Sequence, residues 1–479
     1  MKRSLGRNYL WNASYQLLLV LMPLVTTPYL SRVLGAGQVG VYSYTYSIAN
    51  YFVIFATLGM AQHGVRVIAQ AGDDRLSRSH AFWSAWAAQL CVAVPVAIVY
   101  LCYCCLSPAG GAAVALIWGL WVLSAVFDVS WLFFGVEEFR LPTMRSFITK
   151  LAGVALIFAF CHGPEDLWVY CLSFAGAVFV NAILLLPFVR RHVDFVKPTW
   201  REVKAHFAPN LRLFAPVVAI SLYTAFDKIL LGAVSGMEQA GYFEYSDKIA
   251  RMPLAMITAL GTVMLPHMTM ALAEGKREEV IALLGKSIWV MEAAAMGMAF
   301  GIAAVAPEFS RVFLGEGFEA CGDVMPIVAM IAPLIAASNA IGVQYLLPNC
   351  ADKAYTTSVI FGAAVNIAVC AIALRPLGAA GAALATVAAE AAVLAYQCFA
   401  VRGELPLLAY FKEACVYLAC GVAMYIAVRC AVPLSDSLLG AGWAGLIAEI
   451  VLGAAAYCLL CFFACWRTGR LPDLKELVR

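Results

Sequence analysis

Long apolar runs alternate with short polar stretches along the whole chain. Runs of about 20 mostly apolar residues fall at 9–31, 41–62, 81–106, 112–136, 142–162, 167–189, 211–234, 240–270, 287–306, 324–347, 355–374, 378–400, 410–432 and 441–466. A helix needs about 20 such residues to cross the hydrocarbon core, so the pattern predicts fourteen transmembrane helices. Many runs carry Gly and Pro, which membrane helices tolerate. None alternates with the period of a barrel strand. The predicted fold class is an all-α polytopic membrane protein.

Composition agrees. The 479 residues are 63% hydrophobic and 13% charged, about half the charged share of a soluble domain. The charges test the segmentation independently. With a cytoplasmic N-terminus, 25 of the 32 Lys and Arg fall in inner loops and tails, and only Arg32, Arg311, Arg375 and Arg429 fall outside. Lys228, Lys248 and Arg251 lie within the membrane. Such a bias follows the positive-inside rule and predicts both termini in the cytoplasm. Lys2, Arg3 and Arg7 precede an apolar run with no small-residue cleavage pattern, so the start reads as the first membrane helix. The 16 Cys sit almost wholly within apolar runs, without the further ligands that a metal site needs.

The chain repeats itself. Residues Gly40–Asn50 match Gly241–Arg251 at an offset of 201, and Gly35 maps onto Gly236. The matching segments are the second and eighth helices. Six helices precede the seventh, so the repeat is parallel, one of the two arrangements transporters use for alternating access. This gives two pseudo-symmetric six-helix bundles plus two extra C-terminal helices. The expected boundaries are 1–195 for the first bundle, 196–210 for a cytoplasmic amphipathic linker, 211–402 for the second bundle, and 403–479 for helices thirteen and fourteen with a cytoplasmic tail. In the linker, Thr199 and Glu202 have capping-box spacing, and Trp200, Arg201 and Lys204 suit a helix on an anionic leaflet.

Ionisable groups at membrane depth cost at least ~2.5 kcal/mol on insertion scales, so they are functional candidates. Glu244, Asp247, Lys248 and Arg251 share one helix face, with acids one turn before bases. Asp227 and Lys228 precede them on helix seven, and an antiparallel hairpin would pair Asp227 with Lys248 and Lys228 with Asp247. The equivalent first-half positions are uncharged: Thr26 and Thr27, then Ser43, Tyr46, Ser47 and Asn50. Hydroxyls, an amide and tyrosine suit a polyhydroxylated ligand, and equally suit ordinary interhelical hydrogen bonds. Arg32 follows Pro23 and Pro28 at the outer end of helix one. It is either a snorkelling anchor or a cavity cation for phosphate. Asp128 reads as mid-helix without a local partner, and Glu292, Glu390 and Glu449 are isolated carboxylates. There is no phosphate loop, nucleophile elbow or metal motif in the sequence.

Several blocks resemble the Wzx-type polysaccharide flippases of the multidrug/oligosaccharidyl-lipid/polysaccharide exporter superfamily. They are Gln16, Pro23–Gly35, Tyr51-Phe52, Leu58-Gly59, Asp128–Gly135, Asp227-Lys228, Tyr245–Ile249, Val263–Pro266, and Gly378–Thr386 with Glu390. His267 and Arg375 depart from the pattern. The resemblance implies a non-enzymatic transporter of the bacterial cytoplasmic membrane. Its cargo would be an undecaprenyl-pyrophosphate-linked oligosaccharide repeat unit for capsule, exopolysaccharide or O-antigen. It would need no cofactor and no nucleic acid. Its partners would be membrane lipids and the polymerase and chain-length machinery of the same pathway. Arg32, Thr26, Thr27, Ser43, Tyr46, Ser47, Asn50, Lys228, Lys248 and Arg251 become candidate substrate contacts. Asp128, Asp227, Asp247, Glu244 and Glu390 become candidate ion carriers. A drug/cation antiporter of the same fold and a membrane-embedded glycan polymerase or ligase are the competing readings.

Reporter fusions check the topology. Fusions after Arg75, Arg201, Lys276 and the C-terminus are expected to read as cytoplasmic. Those near Ala109, Glu165, Glu238 and Glu316 are expected to read as external. Inversion of two adjacent loops would refute the fourteen-helix count.

Overall fold

The computed structural model describes residues 2–106 and 112–467, with residues 2–21 described by backbone alone. The side chains of Gln16 and His267, the loop around Ala109 and the tail beyond Arg467 lie outside that description. Among the described residues every regular element is helical. Nine helical stretches of the described residues are long and apolar enough to cross a membrane. The chain divides into two compact units, Met1–Ala233 and Val234–Arg479.

The first unit runs α1 (Lys2–Thr57), α2 (Met60–Ala71), α3 (Arg75–Leu106), α4 (Ala112–Phe127), α5 (Ser130–Gly135), α6 (Arg140–Phe160), α7 (Leu167–Val189), α8 (Trp200–Ala205), α9 (Phe207–Thr224) and α10 (Phe226–Val234). The second runs α11 (Met237–Arg251), α12 (Leu254–Ala273), α13 (Arg277–Phe309), α14 (Cys321–Ala329), α15 (Ile331–Ile341), α16 (Asp352–Val401), α17 (Leu407–Leu439) and α18 (Trp443–Arg467).

Apolar runs predicted as separate helices are joined more tightly than expected. The run at 9–31 and most of that at 41–62 lie in α1, which ends at Thr57 and is interrupted by one non-helical residue, Gly35, at φ 71°, ψ 167°. Those at 355–374 and 378–400 likewise meet in α16 at Gly378, at φ 52°, ψ −125°. Only glycine takes such angles without steric cost. Gly236 precedes α11 at φ 99°, ψ 163°, close to the angles of Gly35. The sequence repeat thus has a backbone counterpart. A Cβ would meet nothing within 4 Å at either glycine, so conformation rather than space selects the residue.

In the first unit the buried cluster holds Ile68, Phe82, Trp131, Leu132, Phe133, Leu185 and Val203. It joins α2, α3, α5 and α7 to the linker helix α8. Thr199 caps α8 through its Oγ1, and Glu202 Oε2 accepts from the Thr199 amide at 2.6 Å, so the predicted capping box forms. The linker is docked by more than its cap. His63 Nε2 lies 2.8 Å from His206 Nδ1, and His206 Nε2 lies 2.9 Å from Ser84 Oγ. Burial pushes the His206 imidazole below its ordinary range, which favours the neutral ring this chain of bonds uses.

The second unit packs around α13, whose inner face is built from Ala295, Ala299, Ala303 and Ala304. Small residues let membrane helices approach closely, where dispersion rather than water exclusion holds them. A Cβ on Gly297 would stand 2.5 Å from the Tyr457 ring, and one on Gly421 would stand 2.5 Å from Phe300. Tyr457 OH donates to the Ala293 carbonyl at 2.6 Å.

A glycine pair tests the packing of α2 on α5. A Cβ on Gly64 would lie 2.5 Å from Trp131, whose indole is fixed by a 3.0 Å bond to Gln89 Oε1. Gly64→Ala is expected to cost about 1–3 kcal/mol through overpacking. Gly37→Ala, where a Cβ meets nothing within 4 Å, is expected to be neutral. Thermal unfolding of the detergent-solubilised variants measures both.

Candidate functional site

The first unit contains a polar cavity of about 310 Å³ at the junction of α1, α4, α5, α6 and α7. Its lining includes Asp128, Ser124, Ser130, Trp121, Ser146 and Asn181. Asp128 is not mid-helix as the sequence suggested. The helix breaks at Asp128-Val129, and the Asp128 carboxylate accepts from the Ser130 amide at 2.9 Å. This is the local partner that the helical reading hid. The opened carbonyls are also served. Gln89 Nε2 donates to Ala125 O at 2.6 Å and Asp128 O at 3.0 Å, and Trp86 Nε1 donates to Val126 O at 3.2 Å. Across the cavity, Asn181 Nδ2 donates to Ser146 Oγ at 2.9 Å. The Asn181 Oδ1 atom is buried and has no hydrogen-bond partner among the described residues. The cavity offers a carboxylate, an amide, hydroxyls and an indole, groups able to bind a hydroxylated molecule or a cation. Sequence reasoning singled out Asp128 and missed Asn181, whose polarity inside an apolar run was the available signal.

The other first-unit candidates line α1 and the end of the unit. Thr26, Thr27, Ser43 and Ser47 are buried. Thr26 Oγ1 donates to Met22 O at 2.9 Å, while Thr27 Oγ1 and Ser47 Oγ have no partner among the described residues. Tyr46 stacks on Trp121 at 4.9 Å and meets Trp118 edge-on at 5.3 Å, so its ring belongs to an aromatic cluster beside the cavity. Asn50 is half-buried. Arg32 is exposed and donates Nη1 to Pro28 O at 2.6 Å. Asp227 is buried in the first turn of α10, where a helix N-terminus favours negative charge. Lys228 follows it and is half-buried.

The second unit brings together Asp247, Arg251 and Glu390. Arg251 Nε donates to Asp247 Oδ1 at 2.6 Å, one turn along α11, as the spacing predicted. Glu390 of α16 is buried and feels the charges of both Arg251 and Asp247. Glu244 is buried on the same helix, and Lys248 Nζ stands 5.8 Å from the Tyr245 ring. A separate apolar cavity of about 530 Å³ lies against α13, α17 and α18, lined by Gly297, Gly301, Met424, Val428 and Tyr457. Glu449 borders it, buried, with Oε1 accepting from Ser435 Oγ at 3.1 Å. Among the described residues no cluster of metal-binding side chains occurs.

Apolar helices of membrane-spanning length, with a polar cavity and paired charges among them, define a multi-pass membrane protein. Residues 5–272 match the polysaccharide biosynthesis protein family, and the chain belongs to that family. It is similar to a protein named as an O-antigen transporter in Escherichia coli (strain K12), at 25% identity over 366 residues. That match covers 75% of this chain and 87% of the relative. A similarly named protein of Shigella dysenteriae is 22% identical over 51% of the chain and 61% of its own length. Among solved structures, the inward closed form of the lipid II flippase MurJ matches with a TM-score of 0.64 at 15% identity, covering 96% of this chain and all of the other. An inward-facing multidrug resistance MATE transporter matches with a TM-score of 0.62 at 13% identity, over 80% of this chain and 98% of the other. These likenesses establish the fold.

The Asp247–Arg251 contact gives a direct test. Arg251→Ala takes from the buried Asp247 carboxylate the guanidinium that lies 2.6 Å from it. It is expected to destabilise the protein by about 3–5 kcal/mol. Arg251→Met combined with Asp247→Leu should recover much of that loss. A double-mutant cycle on thermal stability measures it. Additive losses would show that the two side chains act separately.

Proposed function

We propose that the protein is a flippase for an undecaprenyl-pyrophosphate-linked oligosaccharide, moving the repeat unit across the cytoplasmic membrane by alternating access. Family membership supports the pathway, and the polar cavity at Asp128 is the observation that carries the reading. Its carboxylate, amide, hydroxyls and indole match the hydroxyls and apolar faces of a sugar ring. The apolar cavity beside α17 and α18 suits a hydrocarbon chain, so tail and head would travel in different surroundings. In this reading fourteen helices cross the membrane with both termini inside. They form bundles at 1–195 and 211–402, joined by the 196–210 linker and followed by two further helices.

Arg32 and the polar residues Thr26, Thr27, Ser43, Tyr46, Ser47 and Asn50 contact the head of the substrate, together with Lys228, Lys248 and Arg251. An ion gradient drives the cycle through carboxylates among Asp128, Asp227, Glu244, Asp247 and Glu390. Arg251 beside Asp247 and Glu390 offsets the negative charge that a drug/cation antiporter would need there. Polymerase and chain-length proteins of the pathway would receive the flipped unit.

Flipping of a fluorescent lipid-linked oligosaccharide in proteoliposomes tests the reading. Wild type is expected to flip it. Asp128→Asn is expected to slow flipping at least ~10-fold, equivalent to about 1.4 kcal/mol. Arg32→Lys should be slow and Arg32→Ala slower, because an Arg fork grips phosphate bidentately and Lys does not. Failure of wild type to flip the lipid, with export of cationic dyes instead, would move the protein to the antiporter reading. Normal flipping by both Arg32 variants would remove Arg32 from the site.

A further inference from the structure

Two arginines of the first unit converge on one aromatic ring, with no acidic side chain at salt-bridge distance from either among the described residues. The Arg145 guanidinium of α6 lies 4.1 Å from the Phe188 ring centre, and that of Arg191, just beyond α7, lies 4.4 Å from the same centre. Arg145 Nη1 is buried and has no hydrogen-bond partner among the described residues. Two acids near them in sequence are engaged elsewhere. Glu138 Oε2 takes His192 Nε2 at 2.8 Å, and the Asp194 carboxylate takes Arg75 at 2.6 Å. An aromatic face attracts each cation singly, but it does not remove the repulsion between two. An anion held between them would.

The surroundings indicate what carries that anion. Ile148, one turn along α6 from Arg145, is 57% exposed, and Leu184, one turn before Phe188 on α7, is 44% exposed. Apolar side chains exposed on membrane helices face acyl chains. The ring and its two guanidiniums therefore sit above a hydrocarbon-facing strip formed by two packed helices, which Asn181 and Ser146 also tie together. Basic pockets between membrane helices at the cytoplasmic side bind acidic lipid headgroups, and Arg matches phosphate oxygens bidentately.

We propose that Arg145, Phe188 and Arg191 form a binding site for the phosphate of an anionic phospholipid, which clamps the ends of α6 and α7. None of the three residues lines the cavity at Asp128, and the site does not depend on what the protein transports.

The full-length protein in neutral detergent tests this with phosphatidylglycerol, phosphatidylcholine and inorganic phosphate as probes. Phosphatidylglycerol is expected to raise the wild-type unfolding midpoint above its value in phosphatidylcholine by roughly 2 °C or more. Arg145→Ala and Arg191→Ala should each lose that difference and keep the response to phosphatidylcholine. Arg191→Lys should keep part of it. Native mass spectrometry should show fewer retained phosphatidylglycerol molecules on Arg191→Ala than on wild type. Arg191 is exposed, so its variants carry the test even if Arg145→Ala does not fold. An undiminished difference in Arg191→Ala would overturn the proposal. So would an equal rise with millimolar inorganic phosphate, which would make the site one for a free anion.

Discussion

A backbone in lipid must satisfy its own polar groups, because no water is present to do so. Every place where a helix breaks therefore needs a side chain to finish the job. The structure meets this demand repeatedly. At the Asp128 break, Gln89, Trp86 and the Asp128 carboxylate take up the opened groups. At the Gly378 kink of α16, Gln239 Oε1 accepts from the Ala379 amide at 2.9 Å, and Ser235 Oγ donates to the Leu374 carbonyl at 2.8 Å. At the α9–α10 break, Tyr51 OH donates to Ser221 O at 2.8 Å.

This constraint changes how polar residues in apolar runs should be read. The insertion cost makes each a functional candidate, yet Gln89, Gln239 and Ser235 have structural work that accounts for them. Asp128 does both. Its carboxylate closes a broken helix and also lines a cavity, so the break itself brings the charge to the cavity wall. The lipid demand on the backbone thus fixes where the polar cavity can form.

The all-helical class was legible because hydrophobic length depends only on composition along the chain. The repeat was legible at Gly35 and Gly236, where an unusual backbone demands one residue type. The Thr199–Glu202 cap and the Asp247–Arg251 pair were legible because both are local, three or four residues apart. What stayed hidden depends on distant neighbours. Asn181 meets Ser146 across 35 positions, and His63 meets His206 across 143. A single sequence carries no trace of such separations. The amphipathic helix α2 was absorbed into the end of an apolar run, and the kinks in α1 and α16 were read as loops because a one-residue turn leaves almost no polar signature.

The two matched glycines carry one more consequence. Nothing crowds the missing side chain at Gly35 or Gly236, so size is not what bars other residues there. Handedness is. The mirror image of φ 71°, ψ 167° is an ordinary extended conformation. A D-alanine placed at either turn by chemical synthesis would meet backbone angles it favours, and would give up less chain entropy on folding than the glycine does. The turns that divide α1 and open α11 are, in stereochemical terms, right-sized for any small residue and wrong-handed for every one the ribosome supplies.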